Sequence, residues 1–198
     1  FQVQQKMCSF LVQIVYGCVC FAATAMTLSA MFTPEWSTYT FPGGLVDDLN
    51  QGIEPYSCGL SDDDLKTGTM FKWANCQEWY DGLPWTNTLV ISMMSVGLGF
   101  QILAFVWNIF TVFACCCKKY VIHALPVFSI LASIFLGIGI AFYAIYDNEY
   151  LQLKEPFDKI QVDMYLGYSF WLACGAAGLN FINLFVASAA ICCTKRHL

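Results

Sequence analysis

The chain has 198 residues, 58% of them apolar and only 12% charged, with 9 basic and 14 acidic side chains and a net charge of −5. A soluble domain carries about a quarter charged residues to solvate its surface, so this composition excludes both an ordinary globule and a disordered chain. The acidic balance argues against nucleic acid, whose phosphates call for clustered Lys and Arg, and an integral membrane protein is the class that remains.

Four stretches without an ionised side chain, 7–34, 82–117, 120–146 and 164–194, each exceed the roughly 20 residues that cross a hydrocarbon core. A charge at mid-span costs on the order of 2.5–3.5 kcal/mol. Four such windows therefore predict four membrane helices, placed at 7–31, 86–114, 122–146 and 164–191. The first follows Lys6 and carries Leu28-Ser29-Ala30 near its end, as a secretory signal would. Its apolar run is about twice a signal core of 7–15 residues, so it is expected to stay in the membrane as an anchor.

Orientation comes from the basic residues. Lys6, Lys118, Lys119, Lys195 and Arg196 flank the spans on one side, with His123 and His197, and the positive-inside bias makes that side cytoplasmic. Both termini, the short loop 115–121 and the tail 192–198 are expected inside, and all 14 acids outside.

The first outer loop, 32–84, reads as strands and turns. Ser37-Thr38-Tyr39-Thr40-Phe41 is β-branched and aromatic, Pro42-Gly43-Gly44 is a turn signal, and Phe71, Trp73 and Asn75 share one face of an extended run. A small antiparallel β-layer on the membrane is expected. Only Cys58 and Cys76, of 11 cysteines, lie in this oxidising compartment, so they are expected to pair, a closure worth about 3 kcal/mol. Asp62-Asp63-Asp64 between them lacks the glycine and distal glutamate of a calcium loop and reads as a solvated tip. With Glu78 and Asp81 these acids are candidate determinants of extracellular charge. The second outer loop, 147–163, is short and acidic, and Pro156 leaves room for little more than a hairpin.

Within the spans, Ser95 with Gly99, Ser133 with Gly137, and Gly175 to Gly178 are expected to let helices approach closely. Gln101, Asn108, Asn180 and Asn183 are expected to bond between helices, at about 0.6 kcal/mol each. Trp36, Trp85, Trp107 and Trp171 fall mainly near span ends, where amphipathic rings prefer the interface. The clusters Cys115-Cys116-Cys117 and Cys192-Cys193 adjoin basic residues and are candidates for S-palmitoylation. No zinc-finger spacing joins the histidines. The spans hold no ionised pair for acid–base work, so neither catalysis nor a cofactor is expected.

Pro34-Glu35-Trp36, the Gly43-Gly44 turn, the Cys58 and Cys76 pair, and Tyr80-Asp81-Gly82-Leu83-Pro84 together resemble the first extracellular segment of claudins. Met164-Tyr165-Leu166-Gly167-Tyr168 is similar to the claudin Leu-Tyr-x-Gly-Trp run at the head of the fourth helix, and Ile145-Tyr146-Asp147-Asn148 resembles the start of their second loop. The likeness runs almost end to end and extends to epithelial membrane proteins and channel gamma subunits. It implies an all-α left-handed four-helix membrane bundle under a small antiparallel extracellular sheet, with Trp36 seating that sheet on the lipid. Two features depart from claudins: no Gly-Leu-Trp precedes Cys58, and the two cysteines stand further apart.

Two functions follow from the resemblance. In one, the sheet binds copies of itself within and across plasma membranes, building cell–cell junctions and setting paracellular permeability. In the other, the chain is an auxiliary subunit that grips a pore-forming channel or receptor. The first loop, about 53 residues long, is closer to a claudin's and favours the junctional reading.

Overall fold

In hydrocarbon every backbone amide must find its partner within its own segment, which leaves helices as the form available to these apolar runs. The computed structural model describes residues 2–33, 35–40, 49–51, 53, 85–113, 121–153 and 163–195. Its elements in chain order are α1 (Gln2–Phe32), β1 (Ser37–Thr40), β2 (Leu49–Gln51), α2 (Trp85–Phe113), α3 (Ala124–Leu153), β3 (Asp163–Leu166) and α4 (Tyr168–Lys195). Each helix contains a stretch long and apolar enough to cross a membrane, Ser9–Phe32, Trp85–Phe113, Ala124–Ile145 and Tyr168–Cys193.

The inward face of every helix follows one rule. Buried positions on α1 fall at Ser9, Gln13, Tyr16, Cys20, Ala23, Thr27 and Ala30, and on α2 at Val90, Met94, Gly97, Gln101, Ala104, Asn108 and Thr111. On α3 the series is Leu125, Ser129, Ala132, Leu136, Gly139 and Tyr143, and on α4 Ser169, Ala173, Ala176, Asn180, Asn183, Ala187 and Ala190. Steps of three and four alternate throughout, a 3.5-residue repeat that belongs to a left-handed supercoil. The seam is built mainly from small and polar residues, with Val90, Met94, Leu125 and Leu136 as larger apolar members, whereas Phe10, Phe21, Phe110, Phe113, Phe181 and Phe185 face outward. Such an arrangement suits lipid as solvent, since apolar burial drives nothing there and close packing does.

Close approach is made at Gly175, as expected, and at two glycines that the spacing did not single out, Gly97 and Gly139. A side chain at Gly97 would strike Leu136, one at Gly139 would press on Met93 and Met94, and one at Gly175 would strike Met26. Gly99, Gly137 and Gly178 open on empty space instead. The spacing of small residues was legible, but only the heptad register tells which of them point inward.

The sheet has the order β2-β1-β3, both pairings antiparallel. Ser37 stands opposite Gln51 on one side and Leu166 on the other, and Thr38 opposite Asn50 and Tyr165. β3 corrects the expected start of the fourth helix at 164: Asp163–Leu166 is strand, and α4 begins at Tyr168 after Gly167. The second loop is corrected as well, because α3 continues to Leu153. Past Ile145 nothing in Tyr146–Leu153 breaks a helix, and leaving lipid removes the penalty on its charges without removing helical propensity. The run Phe71–Asn75 lies outside the described residues.

Candidate functional site

The sheet meets the bundle through a four-residue link that follows α1. Thr33 N–H bonds the Ser29 carbonyl at 3.0 Å and closes the helix, after which the chain is fastened to the head of α4. Glu35 C=O accepts from Ser169 N–H at 3.0 Å, Trp36 C=O accepts from Gly167 N–H at 2.9 Å, and the Thr33 and Ser169 hydroxyls lie 2.6 Å apart. Gly167 is required by this approach: a Cβ there would collide with the Glu35 carbonyl, a backbone atom with no freedom to yield.

Trp36 is the centre of the junction. Its side chain is 0% exposed, with the ring centroid 4.8 Å from Tyr143 and 6.1 Å from Phe170, both edge-on. Its indole N–H donates to the Ala30 carbonyl. Edge-to-face pairs of this kind add about 0.5–1.5 kcal/mol each beyond area burial. Tyr143 in turn holds the first residue of the central strand, its hydroxyl 2.6 Å from Ser37 Oγ. Ile53 joins the same apolar cluster, together with Met31, Val90, Met94 and Leu136. The lipid-seating role expected of Trp36 is therefore corrected: the ring seats the sheet on protein, and none of its surface is open to lipid. An aromatic placed five residues past the expected span reads as interfacial in sequence; the link folding back over Ala30 is what encloses it.

Of the other tryptophans, Trp85 and Trp171 are exposed near the starts of α2 and α4. Trp107 is half-buried at the opposite end, donating to the Val121 carbonyl at 2.9 Å and edge-on to Phe128.

Cys58, Cys76, Asp62, Asp63, Asp64, Glu78 and Asp81 lie outside the described residues, as do Cys115, Cys116 and Cys117. Cys192 is exposed and Cys193 half-buried in the last turns of α4. Among the described residues no three His, Cys, Asp or Glu side chains gather into a metal site.

The bundle amides divide into two groups. Gln101 donates to Thr27 Oγ1 at 3.0 Å and Asn108 to the Gln13 carbonyl at 3.1 Å, both bonds between α1 and α2. Asn180 instead donates within its own helix, to the Ala176 carbonyl, and neither amide atom of Asn183 has a hydrogen-bond partner among the described residues. Two seam residues escaped the sequence reading. Tyr16 bonds Ser129 at 2.9 Å across to α3, and Gln13 is fully buried with both amide atoms unpartnered among the described residues. The signal was the step from Gln13 to Tyr16 to Cys20, which puts all three on one face.

A protein-family model described as tight junction protein, claudin-like, matches residues 7–195. No curated protein matches the chain.

Proposed function

Because this chain belongs to the claudin-like family of tight junction proteins, we propose that its sheet is a contact surface through which copies associate at cell–cell junctions and set paracellular permeability. The observation that carries this reading is the enclosed Trp36, which with Tyr143 and Phe170 makes sheet and helices one mechanical unit. A contact surface that must transmit force between two membranes needs such a seat. The family is one of structural junction proteins rather than enzymes, and the proposed role involves no catalysis and no cofactor.

In this reading the protein spans the plasma membrane with both termini in the cytoplasm and the sheet outside. Cys58 and Cys76 form a disulfide there, detected as two thiols that alkylate only after reduction. Cys115–Cys117 and Cys192–Cys193 are acylated at the inner face, and the exposed Cys192 is the clearest target for acyl-exchange labelling.

The missing Gly-Leu-Trp and the wide cysteine spacing favour a second reading, in which the chain is an auxiliary subunit of a channel or receptor. Mild solubilisation from native membrane, affinity capture and mass spectrometry separate the two. Self-assembled complexes support the junctional role; a stoichiometric pore-forming subunit overturns it.

A further inference from the structure

The end of the bundle remote from the sheet carries a groove between α1 and α2, about 430 Å³ in volume, whose walls include Gln13, Gly17 and Phe21 from α1 and Phe105, Asn108 and Phe113 from α2. That volume falls within the roughly 300–1,000 Å³ of small-ligand sites, which are likewise mostly apolar with a few fixed polar groups. We propose that this groove binds an uncharged membrane lipid of the sterol class, its single hydroxyl at the Gln13 and Asn108 amides and its ring system along Phe21 and Phe105.

Unpartnered amides point to a ligand. Among the described residues, Gln13 is fully buried with neither Nε2 nor Oε1 bonded, and Asn108, which gives its Nδ2 hydrogen to the Gln13 carbonyl, leaves Oδ1 without a donor. A polar group left unsatisfied in an apolar medium costs several kcal/mol, and lipid offers no water to relieve it. Gly17 contributes by lacking a side chain, since a Cβ there would sit 2.9 Å from Asn108 Nδ2. Bare backbone at this point leaves the room that the Asn108 amide occupies.

The chemistry of the occupant follows from what the groove offers. A hydroxyl is both donor and acceptor, and so answers the carbonyl and the NH₂ of an amide at once; Gln13 is 0% exposed, so the proposed bond requires its side chain to rotate toward the groove. Among the described residues no lysine, arginine or histidine lines the groove, which disfavours a phosphate headgroup. Position along the bundle agrees. Gln13 lies four residues inside the apolar span that starts at Ser9, and Asn108 five residues inside the one that ends at Phe113. At 1.5 Å per residue both amides are about 6–8 Å from the span ends, near the depth of a lipid's polar head. From there Gln13 to Phe21 extends about 12 Å toward mid-bundle, a length of aromatic wall suited to a rigid apolar body. A rigid ligand also loses little conformational freedom on binding.

The inference is independent of the junctional role. Its test uses the purified full chain in phosphatidylcholine vesicles containing a cholesterol analogue with a photoreactive diazirine and an alkyne handle. Irradiation and mass spectrometry should place crosslinks within 13–21 and 105–113, competed by unlabelled cholesterol and not by added phosphatidylcholine. Gln13→Leu should lower labelling about fivefold or more, the equivalent of one hydrogen bond in lipid. Ile109→Trp fills the groove from its exposed rim without touching the core and should abolish labelling, whereas Ile134→Trp on the exposed face of α3 should not change it. Crosslinks spread evenly over exposed positions, labelling indifferent to Gln13→Leu and Ile109→Trp, or a groove shielded by a second copy of the chain would each overturn the proposal.

Discussion

The hydroxyls of Ser37 and Tyr143 meet at 2.6 Å, joining the first residue of the central strand to the third helix across 106 positions of sequence. Both side chains are buried, so the bond lies where its loss is felt. Tyr143→Phe and Ser37→Ala are each expected to destabilise by about 0.5–1.5 kcal/mol, the net worth of one intramolecular hydrogen bond. The double variant should cost less than the sum of the two, because the second change has no shared bond left to break. Thermal unfolding of the three variants in one detergent checks this as a double-mutant cycle, and simple additivity would show the pair to be uncoupled.

Gly167→Ala sets a new methyl against the Glu35 carbonyl. The expected cost is about 1–3 kcal/mol, typical of overpacking, expressed as loss of the β1–β3 pairing and poor arrival at the cell surface. Gly99→Ala and Gly137→Ala meet nothing within 4 Å and should stabilise instead, by about 0.5–1 kcal/mol, because alanine suits a helix interior better than glycine. Surface biotinylation and apparent Tm give the two signs.

Asn183 and Tyr16 are both polar and both in the seam, yet opposite effects are expected of them. Asn183 has no hydrogen-bond partner among the described residues, so Asn183→Leu should raise apparent Tm by about 2–4 °C for each kcal/mol recovered. Tyr16→Phe breaks the bond to Ser129 and should lower stability by about 0.6–1.7 kcal/mol, from the average to the largest coupling of such bonds in membranes.

The proposed outer surface carries fourteen acids against four lysines, Lys66, Lys72, Lys154 and Lys159. A negatively lined passage concentrates cations and repels anions. Dilution potentials across a monolayer expressing the chain should therefore favour sodium over chloride, modestly, since the residue directly after Cys76 is the neutral Gln77. Preference for chloride would refute the charge argument.

The spans were legible because a charge in hydrocarbon is so costly that its absence over 20 residues is a signal needing no partner. The ends were less so. β3 exists because residues 163–166 lie beside 37–40, a pairing that no local window reveals, and the extra turns of α3 lie outside the apolar stretch that marked it. Trp36 was singled out as a seat on lipid, but its surroundings come from Tyr143 and Phe170, more than a hundred residues away. Gln13 was invisible as one amide in an apolar run, and only registration with Tyr16 and Cys20 turns it inward.

The contact role of the sheet is tested most directly by mixing cells that express a fluorescent version of the chain with cells that lack it. Accumulation at borders between two expressing cells, and not at borders with a non-expressing neighbour, is the result predicted for self-association across membranes. Equal intensity at both kinds of border would contradict it.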